Sequence, residues 1–436
     1  MKKYLIICSI LLLIVLLTGC NVKSVDELYS LPKRSEAYNN FQAEIDRVMS
    51  GLEYSAPISG EYQQTVQMAD LDGDGDDEYL LFAKGTTLQI FIFDRKENEY
   101  RLLEHIESAG SNFHQVEYVH IDNHGGVEMV VCRQLSDNLI RSLSVYAWRN
   151  GQLEEILKTT CNKFVCPDLD ADSNRELLLL HPGETDADNG VAELYNMQGE
   201  NFLRVAQANM SKPASSIKRI MVSRLYEGIP AVYVASDAGN DALITDVYAL
   251  VDGQFTNVTF SNESGTSIQT LRSYFVYAVD FDKDGILELP DLLDVKLPEG
   301  AAPQESQHVI RWYDMCADGS EVDKLYTYHN YSGGWYLQMR NDIALRTVVI
   351  QRGNSYEFYM WNEEMTDTEK YLTIHVLTGA KREEQGTINN RFVIHRTETV
   401  VYAAQLEVAS GAFGLSREGL INNFHLIVQD WNAGLT

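Results

Sequence analysis

The chain of 436 residues is long enough to bury a large core, in two or three domains or in one extended repeat array. With 63 Asp and Glu against 35 Lys and Arg its formal charge is −28, a surface that repels nucleic acid and anionic headgroups and attracts multivalent cations. Composition therefore argues against nucleic acid as a partner.

Residues 1–19 read as an export signal: Lys2 and Lys3, an apolar run from Tyr4 to Leu17, then Leu17-Thr18-Gly19-Cys20. That run is too short and wrongly flanked for a stable membrane span. The last four residues resemble the bacterial lipobox, which implies lipid transfer to the Cys20 thiol, cleavage before it, and a mature protein lipid-anchored at the extracytoplasmic face of the cell membrane. Residues 20–34 are polar and read as a tether, and residues 35–51 as a capping helix with Phe41, Ile45, Val48 and Met49 on one face and Gly51 at its stop.

An acidic nine-residue pattern then occurs three times, as Asp70-Leu71-Asp72-Gly73-Asp74-Gly75-Asp76-Asp77-Glu78, as residues 168–176 and as residues 280–288. Acids at positions 1, 3, 5 and 9 of a tight loop can surround a hard cation such as Ca²⁺ with oxygen. The expected side-chain ligands are Asp70, Asp72, Asp74 and Glu78; Asp168, Asp170, Asp172 and Glu176; and Asp280, Asp282, Asp284 and Glu288. The backbone carbonyls of Asp76, Asn174 and Ile286 would complete the three shells. An EF-hand needs flanking helices and an acid at position 12, but Leu81 and Leu179 stand there in apolar runs. The third loop has Asp291 at that position, yet Val276 to Val279 before it reads as a strand.

The loops begin 98 and 112 residues apart, each about twice a period near 50, and weaker copies sit between them at residues 120–128 and 223–231. Both keep glycine at position 6 and lose most of the carboxylates. Each repeat continues into an apolar strand and a hairpin with aromatic residues at its heart, turning near Asn98 and at Asn150-Gly151, Gln198-Gly199, Asp252-Gly253 and Asp318-Gly319. About four strands per unit describes a propeller blade.

Aspartate-rich loops between strands at this period resemble the FG-GAP and VCBS-type repeats of integrin-like propellers and bacterial surface lipoproteins. The resemblance implies a mainly β chain: a calcium-binding β-propeller of about five recognisable blades over residues 52–330, then an α+β domain of unknown role over residues 331–436. In that last stretch, strand-like runs precede a final helix carrying Leu420, Phe424, Ile427 and Val428 on one face, with Ser416 as its cap.

No hydrolase elbow, metalloprotease helix, phosphate-cradling loop or Cys-x-x-Cys pair occurs. His120, Asp122, His124 and Glu128 have alternate spacing suited to a transition metal but occupy a decayed acidic loop. The five tryptophans read as core rather than as a sugar-stacking face. Cys132, Cys161, Cys166 and Cys316 allow three pairings, none specified by spacing. The expected function is a non-catalytic binding or scaffolding module for a surface protein or glycan; the alternative is a surface polysaccharide hydrolase or lyase with a cleft at the propeller mouth or domain junction.

Overall fold

A computed structural model describes residues 36–427, apart from 97–98, 136–139, 184–187, 274–275, 300–305, 308, 331–332 and 412. The leader, the tether, Cys20, Val428 and Trp431 lie outside the described residues. No described helix is long and apolar enough to cross a membrane. The protein is mainly β, with its strands in six antiparallel sheets.

Residues Glu36–Val48 form the first described helix, and its apolar stripe covers the outer face of the first sheet. Phe41 stacks on Tyr100 at 4.1 Å between ring centroids and meets Tyr79 and Phe93 edge-on.

Sheets one to four follow the sequence period. The second holds Asn112–Val119, Glu128–Gln134, Arg141–Arg149 and Gln152–Cys161 in chain order, and the third and fourth repeat that meander. The first adds the short strand Glu53–Tyr54 to Val66–Ala69, Glu78–Lys84, Leu88–Lys96 and Glu99–Ser108. Consecutive sheets pack face to face. Leu177-Leu178-Leu179-Leu180 shows the cause: Leu177 and Leu179 enter the core shared with the second sheet, Leu178 and Leu180 the core shared with the fourth. Successive strand residues point to opposite faces, so a strand covered on both sides becomes a continuous apolar run.

The fifth sheet orders Leu289–Leu293, Val309–Met315, Glu321–Asn330, Trp335–Met339 and Phe424–Leu426 side by side. Its strand pairing thus crosses the boundary expected at 330/331. The sixth sheet is built mainly from Thr347–Arg352, Ser355–Trp361, Thr368–Thr378, Phe392–Arg396 and Val400–Leu406, and packs on the fifth through Tyr328, Trp335, Phe358 and Tyr371.

The final helix is shorter than its apolar spacing suggests. It covers Arg417–Asn423, capped by Ser416 Oγ accepting the Gly419 amide, and Phe424 begins a strand paired with Leu337. Phe424 stacks on Trp335 at 5.3 Å between ring centroids. Trp312, Trp335 and Trp361 are buried, and Trp148 is half-buried. All four described cysteines are free thiols. Cys161 lies beside Cys132, which with burial pushes its thiol upward.

Candidate metal centres

The first four nine-residue loops each connect two neighbouring strands of one sheet; the fifth follows the isolated bridge Val279↔Glu288 and leads into Leu289–Leu293, and no described α-helix flanks any of them. Asp291 belongs to the strand Leu289–Leu293 and pairs with Arg311 at 3.1 Å. In four loops the ninth-position glutamate is buried and its Oε2 accepts the amide of position 2: Leu71 to Glu78 at 2.7 Å, Ile121 to Glu128 at 2.6 Å, Leu169 to Glu176 at 2.6 Å and Phe281 to Glu288 at 2.8 Å. The loop is thereby closed by its own last side chain.

Within this frame three groups of carboxylates converge: Asp70 with Asp72 and Glu78; Asp168 with Asp170 and Glu176; and Asp280 with Asp282, Asp284 and Glu288. In each group one oxygen per residue lies within 4.8 Å of all the others, so each group could hold a metal ion. Asp74 and Asp172 stand outside the first two groups and accept the amides of Asp76 and Asn174 through Oδ1, as Asp284 accepts that of Ile286. Asp168 Oδ1 and Glu288 Oε1 are buried and accept no hydrogen bond, which is costly for a carboxylate unless a cation meets it.

The clusters perturb their own chemistry. Burial first, then the neighbouring carboxylates, pushes Glu78, Glu176 and Glu288 up to about 7 against the amide hydrogen bond each accepts. Asp72 and Asp170 are also raised, chiefly by burial.

In the second repeat basic side chains of the chain itself meet the position-3 carboxylate. Burial raises Asp122, but the His124 amide and imidazole and the Arg149 guanidinium outweigh it and hold the carboxyl below its ordinary range. His124 Nδ1 lies 2.8 Å and Arg149 Nη2 3.2 Å from its two oxygens. His120 turns back onto the Gly126 carbonyl, so among the described residues the His120, Asp122, His124 and Glu128 set forms no metal cluster. The fourth repeat has no acid at position 9; its buried carboxylate is Asp246, held by Ser211, Ser267 and Asn257.

Three nearby side chains escape the linear pattern. One step along the ladder from the pairs Tyr79↔Phe93, Leu177↔Tyr195 and Leu289↔Tyr313, the ninth-position glutamate faces Asp94, Asn196 and Asp314. The signal was present in the hairpins: each residue directly follows the strand's aromatic, in Phe93-Asp94, Tyr195-Asn196 and Tyr313-Asp314. A basic group, Lys324, also reaches the fifth loop, with Nζ 3.0 Å from Asp282, 2.8 Å from Asp284 and 3.4 Å from Asp314.

The loops touch one another at one end of the sheets. Val127 donates to the Asp70 carbonyl at 2.9 Å, Arg175 to His120 at 2.6 Å, and Ser223 Oγ to Gly285 at 3.0 Å. Elsewhere, Gly60, His114, Gln115, Asn162, Lys163 and Ile220 help line a cavity of about 230 Å³ between the first strands of consecutive sheets. Among the described residues its lining includes no carboxylate and no tryptophan.

No protein-family model and no curated protein matches the chain. Among solved structures, one from Bacteroides uniformis ATCC 8492, described as a "putative 6-phosphogluconolactonase", is similar over 70% of this chain and 95% of its own, at 12% identity and a TM-score of 0.27. A likeness that loose assigns neither fold nor activity.

Proposed function

We propose that this chain is a lipid-anchored extracytoplasmic protein whose FG-GAP/VCBS-like repeats form propeller blades stapled by Ca²⁺, and that it works as a binding or scaffolding module for a surface protein or glycan. The observation that carries the reading is the triple recurrence of one loop, closed by a buried glutamate, in which three or four carboxylates converge within 4.8 Å. All-oxygen ligation on flexible loops suits Ca²⁺ better than the nitrogen- and sulfur-seeking transition metals. Sequential meanders stacked face to face, with first strands converging on one cavity, support blades around an axis.

The test is a melt of the full-length chain in detergent, in chelator and in millimolar Ca²⁺. Extracellular calcium modules bind with Kd on the order of 10⁻⁴ to 10⁻³ M. An ion that binds only the folded state adds RT ln(1 + [L]/Kd) per site, about 1.4 kcal/mol at tenfold excess. Calcium is expected to raise the melting temperature, and Asp72→Ala or Asp282→Ala to remove part of the rise. Identical melts in both conditions would refute the metal assignment.

A further inference from the structure

The five repeats differ at the residue that follows the hairpin aromatic: Asp94, Ala147, Asn196, Ala249 and Asp314 in chain order. An oxygen-bearing side chain stands in the three repeats with complete acidic loops, and alanine in the two decayed ones. The ladder places each of these residues opposite position 9 of its own loop, as the pair Ala231↔Ala249 marks directly in the fourth repeat. A position that matters only for strand packing has no reason to follow the loop's carboxylate content.

Burial gives the pattern a chemical sense. Asp314 is fully buried; its Oδ1 has no hydrogen-bond partner, and its Oδ2 has only the Lys324 ammonium at 3.4 Å. Asp94 is 7% exposed, with Lys96 at 3.0 Å as its ion partner. Asn196 directs its amide to Glu176 Oε1 at 3.3 Å. We propose that Asp94, Asn196 and Asp314 are cross-strand ligands that complete the three cation sites from the adjacent strand. This rests on the calcium reading above.

The site of the fifth repeat adds a tethered occupant. Lys324 is the unpaired residue of a β-bulge between the pairs Trp312↔Leu325 and Tyr313↔Asp323, and a bulge re-aims its side chain. The corresponding bulge residues of the first three sheets are Leu103, Ile156 and Val205. Among the described residues only the fifth sheet's bulge delivers an ammonium to the loop, so a divalent ion there must displace Lys324 and fills that site last.

Calcium titration calorimetry on the full-length chain in detergent tests this, because one variant gains function. Asn196→Asp is expected to tighten one site several-fold, a result that misfolding cannot imitate. Asp94→Ala is expected to weaken one site by about tenfold or more and to leave the others unchanged. Lys324→Met is expected to tighten the weakest site, while the same substitution lowers the melting temperature in chelator. Ions that still bind the wild-type chain, with affinities unmoved by Asn196→Asp and Asp94→Ala, would overturn the cross-strand ligands and leave the calcium reading standing. A wild-type chain that takes up no calcium would sink that reading itself.

Discussion

Glu78, Glu128, Glu176 and Glu288 are almost fully buried, with carboxyls pushed up to about 7, first by burial and then by nearby carboxylates. A folded-state pKa of about 7 against the ordinary 4.5 means that the folded chain holds these protons more tightly than the unfolded one. That contribution favours folding at acid pH and is lost as pH rises through the interval between the two values. A bound divalent ion favours the ionised carboxylate and opposes the trend. In chelator, the melting temperature is therefore expected to fall from about pH 5 to about pH 7.5, and with millimolar Ca²⁺ the fall should flatten or reverse. Parallel pH profiles in the two conditions would show that no cation meets these glutamates. The acids at positions 1, 3 and 9 were legible in the sequence because loop neighbours are also sequence neighbours. Asp94, Asn196 and Asp314 were not, because strand pairing brings them to the loops across separations of 16, 20 and 26 residues from the glutamates they face.

Loops are the joints between sheets. Gly126 sits so close to the first loop that a Cβ there would lie 2.2 Å from the Leu71 carbonyl oxygen and 2.7 Å from its carbon. Both atoms are backbone, so neither can swing aside. Gly126→Ala is expected to cost about 2–4 kcal/mol by driving the first two loops apart and breaking the Val127 to Asp70 hydrogen bond. Calcium affinity at the first site should drop with it, while the site of the fifth repeat stays unchanged. Near-wild-type stability, measured by chemical denaturation, would mean that the seam is slack. Sequence reading placed this glycine in a decayed copy of the motif, one that has lost most of the carboxylates. The structure gives it a second role, as the surface on which the neighbouring acidic loop rests.

At the scale of the molecule, the repeat period was legible from the acidic loops and hairpin turns, because both recur locally. The end of the array was not. Phe424 and Ile427 continue the helical spacing from Leu420, yet Phe424–Leu426 is a strand that pairs with Trp335–Met339, about ninety residues earlier. Local periodicity cannot announce a partner that distant, and packing against Trp335 overrides it. A chain ended at residue 330 would leave Glu321–Asn330 as an open edge and uncover Tyr328, which is fully buried in the core of the last two sheets. It is expected to aggregate or melt without cooperativity on gel filtration and thermal denaturation, whereas a soluble, cooperatively folding fragment would show that the last sheet is dispensable.

The glutamate clasp has a consequence for how such a chain can change over generations. Because position 9 must return to the amide of position 2, and because the loops of neighbouring repeats meet through backbone groups, an inserted or deleted residue would misplace two joints at once. A substituted side chain disturbs only its own loop. Tolerance of spelling but not of length fits residues 120–128, which carry few acids and yet keep nine residues and the Glu128 clasp.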